Sequence, residues 1–440
     1  MDIIIKIIQF FLCFTILVGI HELGHFLMAR VFKIRVDKFY IFFDPWFSLF
    51  KFKRGDTEYG LGWLPLGGYV KIAGMIDESM DKEQMKQPVK PDEFRAKPAW
   101  QRLLVMVAGV MMNVLLAIVI YCAVCYTWGD SYFSNQDAKW GYNFNPTAHE
   151  MGFRDGDRFV SIDGEEIDNV MRVQNDLLIT DGGRRVIVER GGEPVTLDIP
   201  FESLLRMRQE KAYEDLFTLR LPFIVDSVSY TSAVEAGLES GDEVVAIDDL
   251  RDADYPRYRD YLQKHKNDKV LLTVRRDGAL IDSLALPVDA EGRIGVTVTN
   301  PYSLRTQYYT FWESIPAGIH KAGKTISSYW DQLKLIVQPK TKMYEELGGF
   351  VAIGSIFPSS WDWHDFWLKT AFLSIILAVM NLLPIPGLDG GHALFTLWEI
   401  ITRRKPSEKF LEVAQYVGLM IILALLVYAN GNDIYRFFIK

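Results

Sequence analysis

Four stretches of this chain, each near 20 residues and nearly free of charge, leave it few ways to fold. They fall at about 3–28, 102–127, 366–384 and 411–429, and each is long enough to cross about 30 Å of hydrocarbon as a helix. In lipid every backbone N–H and C=O must be bonded within the protein, which restricts spanning segments to helices and closed barrels. The sequence therefore predicts a polytopic α-helical membrane protein with four transmembrane helices. The first stretch lacks a basic start and a small-residue cleavage site, and it is too long for a secretory signal. It is expected to be retained as a helix over residues 1–30.

Basic residues near the span ends set the orientation. Arg30, Lys33, Arg35 and Lys38 follow the first span, Lys90, Arg95, Lys97 and Arg102 precede the second, and Arg403, Arg404, Lys405 and Lys409 separate the third from the fourth. With four passes all three clusters fall on one side, which is the cytoplasm; both termini and the segment from 128 to 365 face outward. The net charge of -8 is spread without a basic stripe, which argues against nucleic acid as a partner. Cys13, Cys122 and Cys125 all lie inside apolar spans and read as small packing residues.

Between the first two spans, residues 39–76 carry two aromatic, alternating stretches on either side of the polar turn "KRGDTEYG". A loop this apolar suits water poorly, and its turns preclude a helix. It is expected to be a β-hairpin that re-enters the protein at membrane depth, where protein or a wet cavity satisfies its backbone. Residues 77–98 then form a charged, proline-punctuated cytoplasmic loop. The outward segment contains a repeat: "AHEMGFRDGDRFVSIDGEEI" from Ala148 aligns with "AVEAGLESGDEVVAIDDL" from Ala233, with Gly156 and Gly241 separated by 85 positions. Each copy continues into a helical stretch and a strand pair joined by a G-G or D-G turn. The pattern resembles tandem PDZ domains, over 128–205 and 206–300, and implies two α+β modules that bind extended peptides or chain ends along a sheet edge. An amphipathic region at 307–340 is expected along the outer interface, or as a linker helix packed against the PDZ pair.

The first span ends in "IHELGHFLMAR". A charge at the bilayer centre costs about 2.5 to 3.5 kcal/mol on insertion scales, so His21, Glu22 and His25 need a reason to be there. In H-E-x-x-H on a helix, four residues bring the second histidine to the face of the first, and both imidazoles can reach one Zn²⁺. Glu22 is then placed to take the proton of the attacking water. Catalytic zinc generally takes three protein ligands. In "MNLLPIPGLDGGHALF", residues 380–395, Pro384 and Pro386 break the third span and glycines loosen a loop over 385–395. Asp389 there falls at about the depth of the two histidines and is the expected third ligand. His392 reads as a structural neighbour.

Together, HELGH, "PLGGYVKI" from Pro65 to Ile72, the PDZ-like repeats and "NLLPIPGLDGG" resemble the site-2 protease family of intramembrane zinc metalloproteases, of the bacterial regulated-proteolysis type. The resemblance covers nearly the whole chain. It maps His21, His25 and Asp389 to zinc ligands, Glu22 to the catalytic glutamate, and Asn381 to a position that helps hold substrate. A family element in the second span, A-G-P-x-x-N, stands here as "AGVMMN": Asn113 fits, while Val110 replaces the proline. Asn113 is grouped with Asn381 on the substrate side, although interhelical bonding explains either residue equally well. The glycine-rich run beside an alternating strand, Gly67, Gly68 and Tyr69 to Lys71, suggests an edge that pairs with an unwound substrate. The resemblance further implies residence in the inner membrane of a bacterium, with the PDZ pair periplasmic. Its implied substrates are single-span proteins such as an anti-sigma factor after a first cleavage, and remnant signal peptides. The contrasting reading is a PDZ-bearing membrane scaffold with a degenerate metal site.

Overall fold

The computed structural model describes residues 2–64, 67–75, 88–213 and 215–439. Pro65 and Leu66, and residues 77–87 of the expected loop 77–98, lie outside them. The chain divides into two units, Met1–Asp130 with Tyr308–Lys440, and Ser131–Gln307.

The first unit holds four helices long and apolar enough to cross a membrane: α1 (Asp2–Val31), α2 (Ala99–Trp128), α4 (Trp363–Leu382) and α6 (Glu408–Ile434), with α3 (Phe311–Val337) and α5 (Asp389–Thr402) between them. Their ends follow local chemistry. Pro98 precedes α2, which closes on Gly129 at φ 75°, a left-handed turn that glycine adopts without steric cost. Asp362 caps α4 by accepting the His364 N–H, and Leu383, ahead of Pro384, is held extended at ψ 142° and ends it.

Two expectations are corrected here. The loop foreseen over 385–395 is a loop only to Leu388, and α5 begins at Asp389. Gly390 and Gly391 serve the packing of that first helical turn rather than loosening it. A Cβ on Gly390 would stand 2.3 Å from the Leu383 carbonyl oxygen, and one on Gly391 2.5 Å from that of Ile385. The amphipathic region forms α3, which starts with a capping box between Thr310 and Glu313. It is packed lengthwise on α2 through Ser314, Gly318 and Ala322, and a Cβ on Gly318 would stand 2.5 Å from the Cys122 backbone nitrogen. A stripe of small residues at four-residue spacing permits that approach.

The segment after α1 is more than a hairpin. Strands β1 (Val36–Ile41), β2 (Phe43–Arg54), β3 (Thr57–Leu64) and β4 (Tyr69–Ile72) form one sheet in the order β2-β3-β1-β4. The expected turn is present, with Arg54 opposite Thr57 around Gly55 and Asp56. β1 then pairs with β3 in parallel and with β4 antiparallel, with Tyr40 opposite Tyr69. Val36, Val70 and Ile72 bury against Ala29 of α1 and Val105 and Met106 of α2. Among the described residues β4 is thereby a terminal strand, bonded to β1 alone.

The second unit contains two cores built to one plan. Strand Arg158–Ile162 pairs with Arg184–Arg190, which turns into Glu193–Ile199; Glu243–Ile247 pairs with Lys269–Arg276, which turns into Ala279–Pro287. The repeated glycines adopt matching left-handed conformations: Gly152 and Gly237 at φ 99° and 87°, Gly156 and Gly241 at 94° and 93°. The first core runs past the expected boundary at 205, because helix Phe201–Gln209 buries Leu204 and Met207 in it and Leu216 follows. The second begins at Phe223.

Candidate metal centre

His21 and His25 lie on one face of α1, buried to 7 % exposure each. At 1.5 Å per residue they sit about 9 to 15 Å from the C-terminal end of that helix. Asp389 arrives from the opposite end of the sequence. Past Leu383 the chain makes two tight turns, Ile385 N–H to Leu383 O and Leu388 N–H to Ile385 O, and Gly387 takes φ 97° within them. α6 clamps this segment so closely that a Cβ on Gly418 would overlap the Pro386 carbonyl oxygen, 1.5 Å away.

The result is a cluster of three donor atoms. His21 Nε2 lies 3.0 Å and His25 Nε2 3.3 Å from Asp389 Oδ2, and the two Nε2 atoms are 3.2 Å apart. Among the described residues this is the group of His, Cys, Asp and Glu side chains able to grip one ion. Ligands 2.0 to 2.2 Å from an ion at tetrahedral corners stand about 3.3 to 3.6 Å from one another, close to the separations seen here. Asp389 Oδ2 is buried and takes no hydrogen bond of normal geometry. A buried carboxylate oxygen without a donor is costly unless a cation meets it. The donor set, two imidazole nitrogens and one carboxylate oxygen, suits zinc.

α2 forms the floor beneath this cluster. The Val105 carbonyl oxygen is 2.8 Å from His25 Nδ1, which fixes the proton on Nδ1 and leaves Nε2 as the lone pair. At Gly109 a Cβ would meet His25 Nε2 at 2.4 Å and His21 Cε1 at 2.7 Å. Neither residue was singled out from the sequence; a glycine inside an apolar helix is the signal that could have found Gly109. α2 runs unbroken through Val110, where the family pattern has proline.

A cavity of about 630 Å³ opens over the cluster, and Glu22, Gly67, Gly68, Tyr69, Asn381 and His392 are among its walls. Val70 of β4 borders the cavity together with Glu22. Asn381 Nδ2 lies 3.3 Å from His21 Nε2. The Tyr69 hydroxyl donates to Asp44 at 2.9 Å and its ring stacks on Tyr40, so Tyr69 offers the cavity its backbone more than its phenol. The bonded side of β4 faces β1, and Gly67 through Ile72 border the cavity. Asn113 departs from expectation. It is 0 % exposed, is absent from the cavity walls, and lies behind the cluster with Nδ2 3.2 Å from His21 Nδ1. It touches a histidine, not the space open to substrate.

A family model described as Peptidase family M50 matches residues 9–425. A Clostridium perfringens protein named "Putative zinc metalloprotease CPE1693" is 29 % identical over 426 residues, covering 96 % of each chain. A Vibrio cholerae protein named "Putative zinc metalloprotease" is also 29 % identical, over 99 % of each chain. The Haemophilus influenzae "Regulator of sigma E protease" is 27 % identical over 97 % of this chain and 98 % of its own.

Proposed function

Since this chain belongs to Peptidase family M50, a family of zinc-dependent membrane proteases, we propose that it is an intramembrane endopeptidase that hydrolyses peptide bonds inside the transmembrane segments of single-span proteins. One observation carries the reading: His21, His25 and Asp389 converge to 3.0–3.3 Å around a buried carboxylate oxygen that lacks a donor, the two histidines on a helix long and apolar enough to cross a membrane.

In this account His21 and His25 hold the zinc through Nε2 and Asp389 through Oδ2. Zinc, when bound, supplies a Lewis acid that polarises the scissile carbonyl and eases deprotonation of water. Glu22, on the cavity wall beside His21, takes the proton of the attacking water and delivers it to the departing amine. Asn381, on the same wall, holds the substrate backbone near the cluster. A helical substrate must first unwind, and in lipid each freed backbone group costs several kcal/mol. The edge of β4 that borders the cavity offers replacement partners, since an extended segment laid along Gly67 to Lys71 adds a strand to the sheet.

The two repeats of the second unit act in this proposal as PDZ-like modules outside the cytoplasm that limit entry by size. Proteins already trimmed outside the membrane pass, such as an anti-sigma factor after its first cleavage, as do remnant signal peptides. The name of the Haemophilus relative ties that protein to regulation of sigma E, which agrees with an anti-sigma factor as substrate, and the basic clusters at the span ends support a cytoplasmic placement of the centre. The test is cleavage of a reconstituted single-span protein with the products identified by mass spectrometry. A cut within the span by wild type and none by Glu22→Gln is expected. Equal cleavage by both proteins overturns the proposal.

A further inference from the structure

The floor of the cluster presents Val105, Gly109 and Asn113 at four-residue intervals, one face of α2 set against His21 and His25 on α1. The Val105 carbonyl selects the His25 tautomer that leaves Nε2 free. His21 needs the same service, because an imidazole can hold an ion through Nε2 only when its proton sits on Nδ1. The atom facing His21 Nδ1 belongs to the Asn113 amide. With the NH₂ directed at Nδ1, the proton of a neutral His21 is driven to Nε2, into the space shared with Asp389 and His25. In that arrangement Asn113 Oδ1 is also buried without a partner. A half-turn of the amide brings Oδ1 to Nδ1, leaves Nδ2 in the position without a partner instead, and moves the His21 proton away from the cluster.

We propose that Asn113 is a positioning residue for the metal centre: its side-chain oxygen accepts the His21 Nδ1–H and so holds His21 Nε2 as a lone pair aimed at the ion. This rests on the zinc reading above. Two further contacts make the arrangement rigid. The Asn113 backbone carbonyl accepts a 2.8 Å hydrogen bond from Ser374 of α4, and the residue is fully buried, so the amide cannot turn away to water. Loss of such an outer partner of a ligating histidine typically weakens metal affinity roughly 10–100-fold.

The experiment compares wild type, Asn113→Asp and Asn113→Leu as purified full-length proteins in detergent, each checked for folding by gel filtration. Zinc release to a chelator is followed, and the visible spectrum is recorded with cobalt in place of zinc. The expected result is roughly 10–100-fold faster release from Asn113→Leu, with an altered cobalt spectrum. Asn113→Asp, which keeps an acceptor and has no donor, should retain its metal like wild type. Release from Asn113→Leu at the wild-type rate overturns the inference while zinc bound to wild type leaves the protease reading standing, and that arm decides even if Asn113→Asp does not accumulate. Equal weakening in both variants also overturns it, since the acceptor would then be irrelevant. A wild-type protein that binds no zinc refutes the proposed function itself.

Discussion

Gly109 and His25 are in such close contact that no side chain fits between them: a Cβ on Gly109 would lie 2.4 Å from His25 Nε2. The imidazole cannot yield, because its other nitrogen is bonded to the Val105 carbonyl. Gly109→Ala should therefore displace a ligand, lowering zinc content and reducing cleavage by about 100-fold or more, the scale of a 1 Å misplacement at a reacting centre. Metal analysis and single-turnover cleavage check this. Normal zinc with normal turnover would show that the floor is softer than its contacts imply.

Much of this centre was legible because its chemistry conflicts with its surroundings. His21, Glu22 and His25 stand out in an apolar helix, and Asp389 stands out in a Pro- and Gly-broken stretch. What stayed hidden depended on neighbours distant in sequence. Nothing local distinguishes a glycine that loosens a loop from one that seats a helix, so Gly390 was misread. Nor does an apolar run reveal that Val105 offers its carbonyl to His25, because helix α1 must be in place to receive it. β1 and β4 were missed as sheet partners for the same reason: the hairpin turn is a local signal, and a parallel pairing such as Lys38 opposite Glu58 is not.

Gly68 tests the substrate edge separately from the metal. A Cβ there would stand 2.8 Å from the Tyr40 carbonyl oxygen and 3.0 Å from Val18 Cγ1, on the side of Glu22. Gly68→Val should fill the groove between β4 and α1, abolishing cleavage of a transmembrane substrate while the protein keeps its zinc. Cleavage at the wild-type rate would remove β4 from the account.

In the second unit Asp242 and Arg276 form a two-point contact, both at 2.7 Å, and the same guanidinium donates to Gly237 O. The first copy repeats it with Asp157, Arg190 and Gly152. Burial pushes the Asp242 carboxyl up, but the hydrogen bond from Arg276, the Glu239 N–H and the guanidinium charge outweigh it and hold the group below its ordinary value. A carboxyl depressed in the folded state stabilises it above the unfolded pKa of about 3.9, and that contribution fades as pH falls through the lower, folded value. Asp242→Ala should cost about 2–3 kcal/mol near neutral pH and make the second core less sensitive to acid. Hydrogen exchange of residues 223–294 across a pH series measures both effects. An unchanged acid response in the variant would assign that sensitivity to other groups.

Removal of residues 146–299 should let the enzyme cut substrates whose outer portion is still attached, at rates near those of trimmed ones. Comparing full-length and trimmed versions of one single-span substrate decides this. A preference for trimmed substrate that survives the deletion would take the gating role away from the repeats.

The central claim is that the opening helix and the start of α5 share one zinc ion. The most direct measurement is the zinc content per chain of purified wild type beside Asp389→Asn, which keeps the side chain's size and removes its charge. The account predicts one zinc per wild-type chain and a steep loss of it from the variant. Stoichiometric zinc in Asp389→Asn, resistant to the same chelator as wild type, would contradict it.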